Sequence, residues 1–422
     1  MIEQNRLANG LRVVSERMEH YRSVSLGIWV DAGSVCERAE ESGASHFIEH
    51  MLFKGTQLRS AGAIAAEMDA IGGNLNAFTA KECTCFYFKV LDERLEQAAD
   101  VLSDLFLHSK FDPDDIAREK GVVCEEILMT ADSPEDVAHE SLCSLLFEGT
   151  PLEHPILGTR DTVNAFTRES LMDYMGRHYR ADNIVISCAG SFRQDELMHV
   201  LTERFAAVQP GGKRVRAAGA LGPGRRVRMV DKDVEQINIC LGLPGFSVSD
   251  DRRFAMMVLN NAIGGCMSSR LFQKIREERG LAYSIYSYPT SYADTGYFAL
   301  YAGTAASTAQ TVTELMLNEL REVREKGLTR EEFNRAKEQM RDSYIIGQES
   351  TSARCSALGK AELILGEAAS QDKLLTKLER VTLEDVEAIL PIVLDESALC
   401  GTLVGRLKKT GAKGIEKLIA GK

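Results

Sequence analysis

Apolar positions along the chain change period several times, and the changes divide it into two runs of similar order. Between Arg12 and Val30, and again between Val227 and Leu243, apolar residues alternate or cluster as in partly or fully buried strands. A helical stretch follows each. Strand patterning returns at Asn74–Val90 and at Ala282–Ala302. Long stretches with period near 3.6 come next: Leu95–Ser109 and Ile116–Met129 in the first run, Thr308–Lys326 and Arg330–Gln348 in the second. Strands joined by short turns and followed by clustered helices predict an α+β fold, with mainly antiparallel sheets packed with helices, rather than a doubly wound sheet.

The two runs read as copies. FDPDDIAREK from Phe111 resembles LTREEFNRAKE from Leu328, an offset of 217, and FTRESLMDYMGRHY from Phe166 resembles VTLEDVEAILPIV from Val381, an offset of 215. Thr167 and Thr382 are each placed to cap a helix. A strand ending in glycine follows each, at Gly190 and Gly405. Between the copies, QPGGKRVRAAGALGPGRR lacks hydrophobic periodicity and carries Pro-Gly and Gly-Pro signals. The expected organisation is a first domain over 1–208, a linker over 209–226 and a homologous second domain over 227–422.

The 422 residues suit two domains of ordinary size. No apolar run approaches the roughly 18 residues of a membrane span, and Met1–Arg6 has neither the basic start nor the apolar stretch of a secretory leader. Ten cysteines without a C-x-x-C pair fit buried thiols in a reducing cytosol, so a cytoplasmic protein is expected. A net charge of −12 makes nucleic acid an unsuitable partner. The charge is uneven: residues 1–210 hold 19 Lys and Arg against 35 Asp and Glu, and the remainder 31 against 27. All eight histidines lie at or before His199, which assigns any imidazole chemistry to the first half. Neither G-x-G-x-x-G after a strand nor G-x-x-x-x-G-K-[ST] occurs, so nucleotide chemistry has no support.

His46 and His50 are one helical turn apart and share a face, with Glu49 beside them. Two neutral imidazoles at that spacing can chelate one Zn²⁺, and the carboxylate can serve as general base. This is the H-x-x-E-H inverzincin pattern. Zinc needs a third protein ligand. Glu119 and Glu126, two turns apart on another predicted helix, are candidates, whereas Glu125 points elsewhere.

With these residues the chain resembles the insulinase/pitrilysin family of zinc peptidases, in particular the half-size branch that includes mitochondrial processing peptidase and its bacterial relatives. The resemblance implies that His46, His50 and Glu126 bind zinc, that Glu49 is the general base and that Glu119 supports the ligands. Gly72–Thr79 resembles the family's glycine-led edge strand, which implies that Asn76, Ala77, Phe78 and Thr79 pair with substrate backbone. Arg276 and Tyr283 match an Arg and a Tyr that contact the substrate and the polarised carbonyl oxygen, and Ile263–Phe272 resembles a glycine-rich loop. By the 217 offset Glu119 and Glu126 correspond to Ala336 and Ser343, so the second copy is expected to hold no metal.

The function implied is a zinc endopeptidase acting on unfolded or short peptides, with basic peptides favoured by the acidic first half. Family architecture implies four domain copies around a chamber. A chain with two must then pair, as a homodimer or with a paralogue, and Arg276 and Tyr283 would act on the partner's site. The rival reading is a non-catalytic scaffold subunit of the same family. Such subunits usually have damaged zinc residues, and this chain keeps them all.

Overall fold

The computed structural model describes residues 2–212, 219–368, 370–409 and 411–422. Residues 213–218 of the predicted linker lie outside the described residues; 209–212 and 219–225 have no regular element. The chain forms two compact units, each assembled from non-contiguous segments. One comprises 1–127, 154–217 and 346–371, and the other 128–153, 218–345 and 372–422.

The first unit is built on a six-stranded sheet of β1 (Ile2–Arg6), β2 (Arg12–Arg17), β3 (Ser23–Val30), β4 (Asn74–Thr79), β5 (Thr84–Leu91) and β6 (Ile184–Gly190), in the order β1-β2-β6-β3-β5-β4. Pairing is antiparallel except between β2 and β6. β3 and β6 are buried almost throughout and lie centrally. β4 alternates exposed and half-buried residues and lies at an edge, paired with β5 alone. Apolar residues of one sheet face, with the helices Ala44–Leu52 and Leu95–His108, form the main core.

The opposite face of that sheet is closed by a late segment, the helix Thr351–Leu365, which packs on β2, β3 and β6. Trp29 is buried there. Its indole N–H donates to Ser187 at 2.8 Å, and the ring lies so close to Gly359 that a Cβ would approach its Nε1 to 2.0 Å.

The second unit repeats the plan. Its sheet runs β7 (Arg226–Asp231), β11 (Cys400–Gly405), β8 (Gln236–Pro244), β10 (Gly296–Ala305), β9 (Ala282–Ser291), again with one parallel pair, β7 and β11. An early segment covers it: the helix Pro134–Leu146 packs on β7, β8 and β11. The caps repeat as well, Thr167 accepting from the Ser170 N–H and Thr382 from that of Asp385. Gly190 and Gly405 both have positive φ (133° and 149°), and a Cβ on either would strike the backbone of the neighbouring strand. Among the described residues β1 has no counterpart in the second sheet.

All ten cysteines are free thiols, and no helix among the described residues is long and apolar enough to cross a membrane.

Candidate metal centre

The helix Ala44–Leu52 carries His46, Glu49 and His50 on one arc because the rest of its surface is committed to the core. Phe47, Ile48, Met51 and Leu52 are fully buried and fix its rotation. Its start is held by a carboxylate from outside the helix: Glu37 accepts from the N–H groups of Gly43 (2.7 Å) and Ser45 (2.8 Å). Burial pushes the Glu37 carboxyl up to about 7, against those two donors. Gly43 has φ of 92°, and a Cβ there would come within 2.7 Å of the Leu157 carbonyl oxygen, so only glycine fits this entry.

A second helix, Pro113–Asp132, is anchored by Ile116, Val123 and Cys124 and presents Glu119 and Glu126 two turns apart. Glu126 Oε2 lies 3.6 Å from His46 Nε2 and 3.6 Å from His50 Nε2. Glu119 is buried beneath, accepting from His50 Nδ1 at 2.8 Å and from Lys54 Nζ at 2.7 Å. Burial alone would raise Glu119, but the hydrogen bonds from His50 and Lys54 outweigh it and hold the carboxyl below its ordinary range. An ionised carboxylate can only accept, so the proton of His50 resides on Nδ1 and Nε2 offers a lone pair. Burial, with His50 alongside, pushes His46 down to about 4, so this ring is neutral at pH 7. Its Nδ1 is buried without a hydrogen-bond partner among the described residues.

Lone pairs and a carboxylate oxygen therefore converge, and a proton shared between His50 and Glu119 cannot bridge them. Among the described residues this trio is the group of His, Cys, Asp or Glu side chains whose ligand atoms lie close enough together to hold a metal ion, all within 4.8 Å. A tetrahedral zinc with bonds of about 2.0–2.1 Å sets its ligand atoms about 3.4 Å apart, close to the observed 3.6 Å. The donor set fits zinc.

Glu49 points beside this trio. Burial raises its carboxyl above the ordinary range, and a hydrogen bond from Thr79 opposes the rise. Thr79 Oγ1 donates to Glu49 Oε2 at 2.6 Å. Glu125, next to Glu126 in the chain, faces solvent.

Residues 12–160 match the family model described as insulinase (peptidase family M16), and 165–340 match that of the peptidase M16 inactive domain. An uncharacterized zinc protease of Bacillus subtilis is 42% identical over 391 residues, spanning 92% of this chain and 95% of that protein. The chain belongs to the insulinase family, peptidase family M16. Its length places it among the half-size members. An uncharacterized zinc protease of Streptomyces coelicolor is 40% identical over 432 residues, covering 99% of this M16 chain and 93% of its own. Two crystal structures share the fold, each with a TM-score of 0.89. One is a peptidase M16 inactive domain from Pseudomonas fluorescens, 20% identical over 96% of this chain and 98% of that one. The other is a protease from Helicobacter pylori, 19% identical over 96% and 99%.

The remaining candidates of this M16 chain fall on two other elements. Asn76, Ala77, Phe78 and Thr79 lie on the edge strand β4. Arg276 and Tyr283 belong to the second unit: Arg276 lies in a π-helical turn, Phe272–Glu277, and Tyr283 on β9. The guanidinium stacks on the rings of Phe272 (4.7 Å) and Tyr283 (4.6 Å), and Tyr283 is 78% exposed. Ser343 and Ala336 occupy the positions equivalent to Glu126 and Glu119; Ala336 is buried and Ser343 accepts a hydrogen bond from Gln339.

Three contacts at the site were not read from the sequence. Lys54 lies one turn beyond His50, a spacing that could have flagged it. Glu37 and the Thr79 hydroxyl are brought in by tertiary packing, and nothing local marks them.

Proposed function

We propose that this M16 chain is a zinc-dependent endopeptidase that cleaves unfolded or short peptides. The observation that carries the reading is the convergence of His46 Nε2, His50 Nε2 and Glu126 Oε2 beside a general base. His46, His50 and Glu126 hold the metal, and Glu119 fixes the His50 tautomer from behind. Zinc bound there would supply Lewis-acid polarisation of the scissile carbonyl and activation of a water. Glu49 is placed to take a proton from the attacking water and pass it to the leaving amine. Its raised affinity for a proton, from burial, suits a group that must accept and then release one. β4 binds the peptide as an added strand through Asn76–Thr79. Basic peptides are preferred because the first 210 residues carry the acidic excess.

The chain works in a reducing, cytoplasmic setting and as a pair, with Arg276 and Tyr283 serving the metal centre of the partner chain. There the guanidinium and phenol act as donors to the substrate and the developing oxyanion. Two experiments test the reading. Metal analysis together with peptide cleavage should find zinc in both wild type and Glu49→Gln, with cleavage reduced at least about 100-fold in the variant. Zinc bound by a wild type that cleaves no peptide would favour a scaffold subunit instead. Mixing Glu49→Gln with Tyr283→Phe should restore activity above either alone; no recovery removes the paired arrangement.

A further inference from the structure

β4 presents its two kinds of hydrogen-bonding surface in different directions, and Thr79 uses both. The Lys81-Glu82 turn joins β4 to β5, with the Ala80 N–H donating to the Cys83 carbonyl at 2.8 Å. Beyond it Thr79 faces Thr84, Phe78 faces Cys85, Ala77 faces Phe86, Asn76 faces Tyr87 and Leu75 faces Phe88. Bonded and non-bonded pairs alternate in an antiparallel ladder. Ala80–Cys83 is a bonded pair, so Phe78 and Asn76 direct their backbone groups at β5. Leu75, Ala77 and Thr79 direct theirs to the free edge. The Ala77 N–H, turned outward, is taken up by the Asn76 side chain at 2.8 Å.

Thr79 thus offers its N–H and carbonyl to the edge along which a peptide would be added. Its side chain points to the helix carrying Glu49, where Oγ1 donates to Oε2 at 2.6 Å. Glutamate has three side-chain torsions to fix, and ordering such a side chain costs conformational entropy. Glu49 is only half-buried, so packing does not hold it on every side. One anchored oxygen leaves the other aimed.

We propose that Thr79 is a positioning residue for Glu49, joining the pairing of a peptide along β4 to the orientation of the base. The inference rests on the peptidase reading above and adds to it a residue whose hydroxyl acts through the carboxylate rather than on the peptide. Thr79→Val keeps the shape and the β-branch and removes the donor; Thr79→Ser keeps the donor and loses a methyl group.

The test is steady-state cleavage of a panel of internally quenched, unstructured peptides by the full-length zinc-loaded chain. For a peptide that the wild type cleaves, Thr79→Val should lower kcat at least about fivefold, with KM and zinc content changed less than about twofold. Thr79→Ser should keep kcat within about threefold of wild type. The inference is overturned if Thr79→Val loses less than fivefold in kcat, if its loss lies in KM or zinc content, or if Thr79→Ser falls as far as Thr79→Val. A wild type that cleaves no peptide would overturn the peptidase reading and this inference with it, which separates the two failures.

Discussion

Three carboxylates share the neighbourhood of His46 and His50, and their surroundings assign them different work. Glu126 is two-fifths exposed and faces both imidazoles, as a ligand open to substrate would. Glu119 is buried and held ionised by His50 and Lys54, and in the proposed reaction it would set a tautomer rather than take part in proton transfer. Glu49 is raised by burial and tethered by Thr79. Glu119→Gln keeps an acceptor for the His50 N–H but removes the charge that holds it. Zinc affinity should fall about 10–100-fold, read by competition with a chromophoric chelator. An unchanged affinity would mean that Glu119 serves packing alone. The H-x-x-E-H spacing is legible in the sequence because three side chains on one helical arc need only a local period. The link from Glu119 to His50 joins different helices, and only family resemblance pointed to it beforehand.

At the scale of elements, the ladder phase of β4 lets the proposed substrate pairing be tested apart from fold stability. Ala77 directs its N–H to the free edge and Phe78 directs its own to β5, so proline should act differently at adjacent positions. Ala77→Pro removes an outward donor and should lower kcat/KM at least about tenfold while leaving Tm within a few degrees. Phe78→Pro removes a ladder bond and should cost about 3 kcal/mol, measured by urea denaturation. Equal effects at the two positions would refute the assigned ladder phase. The strand itself was legible from its alternation and the Gly-Gly turn before it. Its edge position was an expectation from resemblance, since alternation does not say which strand lacks a neighbour. β1 was not anticipated: IEQNR has one apolar residue, and its place is set by antiparallel pairing with β2 rather than by its own pattern.

For the whole molecule, the repeat is visible in sequence, but the two units do not follow its halves. The sheet of the first unit is closed on one face by Thr351–Leu365 and that of the second by Pro134–Leu146. Trp29, the single tryptophan, reports the first of these contacts. A fragment of residues 1–208 leaves Trp29 without its cover, so its fluorescence should shift to the red relative to the full chain, and the fragment should aggregate. Gly359→Ala in the full chain should cost about 1–3 kcal/mol by overpacking against the indole. Emission from the fragment identical to that of the full chain would show that its sheet closes by itself.

The sequence by itself determined the quantities that short-range geometry controls. Helical period placed His46, Glu49 and His50 together, threonine caps and strand-ending glycines marked a repeat near an offset of 216, and the distribution of histidine chose the half that holds the His46, His50 and Glu126 group. Tertiary structure alone decided which helix covers which sheet, because Thr351–Leu365 and Pro134–Leu146 mix polar and apolar residues in a pattern that does not name a partner. It decided that Glu37 holds the start of the motif helix and that the Thr79 hydroxyl reaches Glu49. Those contacts depend on where separate elements meet, and no period along one chain segment records the position of another.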